Sequence, residues 1–268
     1  MSQPSWTPDS QTPVVFASLS GDHNPVHLDP EHARGAGFDD VIVHGMCTLG
    51  AAARAAQLAV APGSVLRKID VRFANPVLPG ETVGFDWGVK EKDGAHKVGL
   101  KTVLPGARKV MSPANFTFVS AEAEVTAPSD ELVAADDGDI AGEPFSFTEE
   151  QLAQYNGITA ATETPEGEGV PMMVSLLGMT GALEIAFRTV QPPERAGTWV
   201  HLRQAAEFFA DVKADEVYRC RIQTARNKIR ESKVGVMITI PFVVERDRDG
   251  GLVSTGSCGL FYAFTEDS

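Results

Sequence analysis

Cysteine is scarce in this chain, and the three present, Cys47, Cys220 and Cys258, lie far apart. They supply neither a disulfide framework nor the paired spacing of a zinc site, and they suit a reducing compartment. Long hydrophobic runs are missing too. No stretch approaches the ~18 consecutive apolar residues that a membrane span needs. The opening MSQPSWTPDSQTP lacks the basic start and apolar centre of a secretory leader, so a cytoplasmic protein with no membrane partner is expected. Positive charge is the third shortage: 23 Lys and Arg against 36 Asp and Glu leave a formal net charge of -13. Such a surface repels nucleic acid and anionic bilayers, which argues against both as partners. An anionic ligand would need a local basic patch. Two candidates are Arg67, Lys68 and Arg72, and Arg219, Arg221, Arg226, Lys228, Arg230 and Lys233.

What the chain has in plenty is core-forming material: 268 residues, 43% of them hydrophobic, suffice for one large domain or two ordinary ones. A helix is expected from Met46 to Ala61, ended by Pro62-Gly63. Runs of β character follow at Val65–Ala74, Thr82–Lys90, His96–Leu104 and Lys109–Val119, separated by Pro79-Gly80, Asp93-Gly94 and Pro105-Gly106. These turn pairs predict an antiparallel meander. The stretch 120–142, rich in Ala, Glu and Asp, reads as a linker between a unit at 1–119 and one at 143–268. The same order then returns: a helical start at Thr148–Tyr155, an apolar helix at Pro171–Phe187, and β runs at Thr198–Phe209, Glu216–Arg226, Lys233–Glu245 and Leu252–Phe264. The pattern is a diverged internal repeat.

The richest stretch is Leu19 to His44, followed by Gly45-Met46. Asp22, Asn24 and His27 share a turn too rich in Gly and Pro to be a helix. Gly21 permits backbone angles barred to other residues, and Pro25 fixes a φ angle. Asp29-Pro30 starts a short helix, closed by Gly35 and Gly37, which braces the turn. Asp22 and Asn24 can serve simply as turn caps, and His27 as a satisfied polar residue. A carboxylate and an imidazole on a rigid loop can also hold one water between them, one removing its proton while the other delivers a proton to substrate. Hydration or dehydration is the matching reaction. The four histidines His23, His27, His32 and His44 lie near Asp22 and Asp29, but their spacings match no defined metal-ligand set, so no metal is expected.

The string from Ser20 through Gly21, Asp22, Asn24, Pro25, His27, Asp29, Pro30, Ala33, Gly37, Phe38, Ile42 and His44 to Gly45 and Met46 resembles the signature of the MaoC-like (R)-specific enoyl-CoA hydratase family, hydratase 2. The resemblance implies an α+β double hot dog, in which each of two repeats wraps an antiparallel sheet around a long central helix. It also implies reversible syn hydration and dehydration of trans-2-enoyl and (R)-3-hydroxyacyl thioesters. Asp22 and His27 would form the catalytic pair, Asn24 would help to hold the water, and the Gly45 backbone N–H would bind the thioester oxygen. The last role has physical support, because the first N–H groups of a helix lack internal partners and can face developing negative charge. At Ala53 some relatives carry a serine, whose hydroxyl is absent here. No cofactor is implied beyond the coenzyme A or acyl carrier protein that forms part of the thioester.

The halves are chemically unequal. Where the first has Gly-Asp-His-Asn-Pro-Val-His, the second has Asn156-Gly157-Ile158-Thr159, and Met172-Met173 stands in place of His44-Gly45. The second half is therefore expected to bind the acyl chain, with Met172, Met173 and Leu176 as candidate substrate-binding residues, or simply to fill a core with them. Alternatives to a hydratase are a non-catalytic acyl-thioester binding module and a hot-dog acyl-CoA thioesterase. The complete acid, amide and imidazole set speaks against the first, and the lack of a carboxylate in Met46–Ala61 against the second. Few residues precede Phe16, so the first edge strand is expected to be short or missing, with the linker or another subunit covering that edge. A two-repeat monomer and a homodimer both fit.

Overall fold

The computed structural model describes residues 3–164, 170–181, 183 and 197–264. The first half runs β1 (Ser5–Trp6), α1 (Thr12–Ser20), α2 (Pro30–Gly35), α3 (Gly45–Gln57), β2 (Ser64–Phe73), β3 (Val83–Lys92), β4 (Ala95–Leu104) and β5 (Arg108–Ser120). The second runs α4 (Asp130–Val133), β6 (Ile140–Ala141), α5 (Glu149–Ile158), α6 (Pro171–Val174), β7 (Gly197–Phe208), β8 (Tyr218–Ile222), β9 (Lys228–Ser232), β10 (Gly235–Arg246) and β11 (Leu252–Phe264). All described strands join one antiparallel sheet in the order β1-β3-β4-β5-β2-β7-β11-β10-β8-β6, with β9 also on β10. Outward from the central β2/β7 seam, the first half reads 2-5-4-3-1 and the second 7-11-10-8-6. These are the same connectivity twice, which is the expected repeat.

Apolar pairing carries the seam. Ile69 lies opposite Ala206, and both are buried. The ion pairs flanking them, Asp70 with Arg203 and Lys68 with Glu207, are exposed and add little. Helix α3 sits against the concave face of the first half, and its Leu49, Ala51, Ala52, Ala53, Ala55 and Ala56 are fully buried. Gly50 lets Tyr155 of α5 lie against α3, since a Cβ there would overlap the tyrosine hydroxyl. The Arg54 guanidinium, also buried, donates to the Asn156 carbonyl at the end of α5 (2.7 Å).

Four differences from expectation have physical causes. Helix α1 arises before the loop that carries Asp22, nucleated by Asp9, whose Oδ1 accepts from the N–H groups of Gln11 and Thr12 and from the Thr12 hydroxyl. The first edge strand is short, two residues, and the linker does not cap it. Thr162 of the second half does, its Oγ1 accepting the Ser5 N–H (2.8 Å) and its N–H donating to the Ser5 carbonyl (2.7 Å). The run expected at Glu216–Arg226 is β8 followed by a 3-10 turn at Thr224–Arg226, and β9 was missed because its five residues are all exposed and mostly charged. The helix expected at Pro171–Phe187 starts as α6 and tightens into i to i-3 bonds at Ser175, Leu176 and Leu177. Positions 182 and 184–187 lie outside the described residues.

The stretch 120–142 contains α4 and β6 and is fastened to the second half. Arg221 donates to the Val133 and Ala134 carbonyls and to Asp139, and Gln223 and Arg226 donate to the Leu132 carbonyl. With Arg219 on Asp247, the later basic patch is thus partly consumed by the fold.

Candidate active site

Gly21 ends α1 in the left-handed conformation (φ 73°), its N–H bonded to the Ala17 carbonyl, and sends the chain away from the helix axis. Short-range bonds then fix the loop. The Asp22 N–H donates to Ser20 Oγ, the Asn24 N–H to Asp22 Oδ1, and the Val26 N–H to Asn24 Oδ1, each at 3.2 Å. The capping role of Asp22 and Asn24 is therefore real. It leaves the other Asp22 oxygen and the Asn24 NH2 available. Asp29 caps α2 by accepting from the N–H groups of Glu31 and His32.

His27 ends the 3-10 turn that follows. Its Nδ1 lies 2.7 Å from the Ile42 carbonyl, an acceptor only, so Nδ1 carries the proton and Nε2 presents a lone pair. Burial pushes the His27 pKa below its ordinary value, against the opposing pulls of the Ile42 carbonyl and the Asp22 carboxylate. A neutral imidazole able to accept a proton is the result. His44, almost wholly buried, stacks on His27 with ring centroids 3.7 Å apart and donates through Nε2 to the Asp22 carbonyl (3.0 Å). Burial and the neighbouring His27 pull its pKa down to about 4.

These groups open onto a cavity of about 740 Å³, within the range usual for small-molecule sites. Asp22, Asn24, His27, His44 and Gly45 all line it. Gly45 is the first residue of α3, whose first described helical bond is from the Thr48 N–H to the His44 carbonyl. The N–H groups of Gly45, Met46 and Cys47 thus have no partner inside the helix, and at Gly45 no side chain screens them. Phe73, at the end of β2, bounds the spot, lying 3.3 Å from where a Gly45 Cβ would be.

The second half supplies the opposite wall, but not with the residues expected. Met172, Met173 and Leu176 are buried in the core and are not among the cavity lining; Met179, Thr180 and Leu183 line it instead, one to two helical turns further on. Sequence reasoning also missed His201 of β7, which lines the cavity beside Cys258, its Nε2 3.1 Å from the Arg203 carbonyl. Burial depresses its pKa to about 4. A lone histidine on an alternating strand carries no signal of that placement.

One ligand atom each from Asp22, His27 and His44 lies within 4.8 Å of the others, close enough to raise a metal site. Nearly parallel stacked rings, 26° apart, are a poor match to metal ligands, which must converge on one ion at ~2.0–2.1 Å.

The sequence model of the MaoC like domain matches residues 2–109. A 119-residue stretch, 43% of this chain and 19% of the other, is 38% identical to the peroxisomal multifunctional enzyme type 2 of Drosophila melanogaster. Over 72 residues, 26% of this chain and 23% of the other, identity to the peroxisomal enoyl-CoA hydratase 2 of Arabidopsis thaliana is 49%. The matches thus cover less than a quarter of either relative's length. A Mycobacterium tuberculosis protein described as having a double hot dog fold superposes with a TM-score of 0.68 over 97% of this chain and 94% of its own, at 13% identity, a likeness of fold alone. Residues 2–109 thus match the MaoC like domain model, and the chain as a whole has the fold of a double hot dog.

Proposed function

We propose that this chain is a hydro-lyase that adds water to trans-2-enoyl thioesters, giving (R)-3-hydroxyacyl thioesters, and runs the reverse elimination. The observation that carries the reading is the placement of Asp22 and the neutral His27 together on the wall of a cavity that also exposes the N-terminus of α3. Water held between the carboxylate and His27 Nε2, with the Asn24 NH2 as a further donor, would attack C3. The pair takes one proton from that water and returns one to C2 from the same face, so it ends in its starting state and the addition is syn. Negative charge gathering on the thioester oxygen would meet the Gly45 N–H and the positive end of α3. No cofactor enters this scheme, and the carrier is coenzyme A or an acyl carrier protein.

Loss of enoyl-thioester ultraviolet absorbance on mixing with a trans-2-enoyl-CoA tests it. Wild-type protein is expected to consume the absorbance, and folded Asp22→Asn and His27→Ala variants to lose on the order of 10²–10⁴-fold in rate. Unchanged rates in both variants would refute the assignment. Release of free thiol without hydration would point to a thioesterase instead.

A further inference from the structure

We infer that His44 is a positioning residue that holds both Asp22 and His27 in register with the helix start that carries Gly45, an inference that rests on the hydratase reading for its kinetic consequence. The bonds that shape residues 21–24 are almost all local, made to Ala17, to Ser20 and within the segment itself. Among the described residues, the one hydrogen bond tying this segment to a distant part of the chain is that from His44 Nε2 to the Asp22 carbonyl (3.0 Å). The same ring stacks on His27 at 3.7 Å and meets Phe16 of α1 on a tilted face at 4.8 Å. One side chain therefore touches the acid's backbone, the imidazole's face and the helix that leads into the loop. Its own backbone is the N-cap of α3, directly before Gly45. Any shift of His44 moves the carbonyl-binding N–H and the water-holding pair together.

A filler role does not explain the ring. Its carbonyl partner fixes the proton on Nε2, and Nδ1 is then a buried lone pair without a hydrogen-bond partner, a cost that an apolar side chain of similar size would not carry. Nor is it a side-chain cap, because it makes no capping bond to α3. What the imidazole gains over phenylalanine here is the Nε2–H donor.

Three variants separate the possibilities. His44→Phe keeps a stacking ring and removes the donor. His44→Gln places an amide N–H near the Nε2 position, and His44→Asn places it near Nδ1, out of reach of Asp22. With folding checked by circular dichroism, the expected result is a fall in kcat on the order of 10²-fold for His44→Phe and His44→Asn, with KM within about threefold of wild type, and a recovery of at least about fivefold in His44→Gln. Amide hydrogen exchange of residues 21–24, which needs no turnover, is read in parallel. It is expected to quicken at least about tenfold in His44→Phe and His44→Asn and to recover in His44→Gln, while β4 and β5 are unchanged. Unaltered exchange in His44→Phe, or a His44→Gln no better than His44→Asn, overturns the inference. A wild type that fails to hydrate any enoyl-CoA while showing this exchange pattern sinks the hydratase reading and leaves the positioning role standing.

Discussion

Acid should unfold this protein through its buried imidazoles before its carboxylates matter. His44 and His201 have pKa values pulled to about 4 by burial, from an ordinary 6.5. Between those values the unfolded chain binds protons that the folded chain refuses, so folded-state stability is complete above pH 6.5 and drains away as pH falls toward 4. From pH 7 to pH 5, each group costs about 2 kcal/mol on this linkage. Both together remove about 4 kcal/mol, a large part of a typical folding free energy of about 5–15 kcal/mol. His27, shifted the same way, adds to the fall. The depressed carboxylates Asp9, Asp86 and Asp249 work in another window, since their contribution is lost only below their ordinary 3.8.

The assay is thermal unfolding at pH 7, 6 and 5 in constant ionic strength. A 4 kcal/mol loss corresponds to a drop in Tm on the order of 10 °C for a chain of this size. Relief of self-repulsion on a surface of net charge -13 acts in the opposite direction, so the decisive quantity is the difference between proteins that share that surface. His44→Gln and His201→Gln should each shrink the drop between pH 7 and pH 5 by about a third to a half, and the double variant should remove most of it, leaving the His27 contribution. A double variant whose Tm falls with acid as steeply as wild type would refute the reasoning.

Other outcomes follow from the packing and the cavity. Gly50→Ala forces a methyl against the Tyr155 hydroxyl and the Thr159 methyl, and should cost about 1–3 kcal/mol in urea unfolding. Asp70→Ala breaks an exposed ion pair at the seam and should cost less than about 1 kcal/mol by the same measurement. Under the proposed function, Leu183→Trp narrows the wall supplied by the second half, and a panel of enoyl-CoA lengths should show kcat/KM falling at least about tenfold for long chains while the four-carbon substrate is spared.

The features legible in the sequence were those set by local chemistry. Asp93-Gly94 makes a tight turn because both residues take positive φ, and β3 and β4 therefore pair as expected. Asp22, Asn24 and His27 could be singled out because Gly21 and Pro25 mark their loop in the local sequence. Harder to read was whatever depended on two distant segments meeting. His44 stood in the matched string and among the clustered histidines but was given no role of its own, because its partners are fixed only when α1 and the loop fold back over α3. His201 reaches the cavity from β7, beside the β2/β7 seam, and Met172 and Met173 are buried in the core rather than at the cavity. Periodicity states which residues are apolar, not which of two apolar environments they enter.

The repeat gives the two halves different tasks. Corresponding segments follow α1 and α5. The first holds Asp22, Asn24 and His27 at the cavity. The second is occupied in bracing its neighbour: the Ile158 carbonyl accepts the Trp6 indole N–H (2.9 Å), the Asn156 carbonyl accepts from Arg54 of α3, and Thr162 caps both sides of Ser5. An acid and imidazole pair there would have to compete with these bonds for the same backbone. The two-residue strand β1 is too short to hold the sheet edge by itself, so the first half depends on a segment whose counterpart it uses for something else. The two halves thus divide their labour: the loop after α5, which lacks the acid and imidazole pair, is fastened to β1 and α3 of the first half.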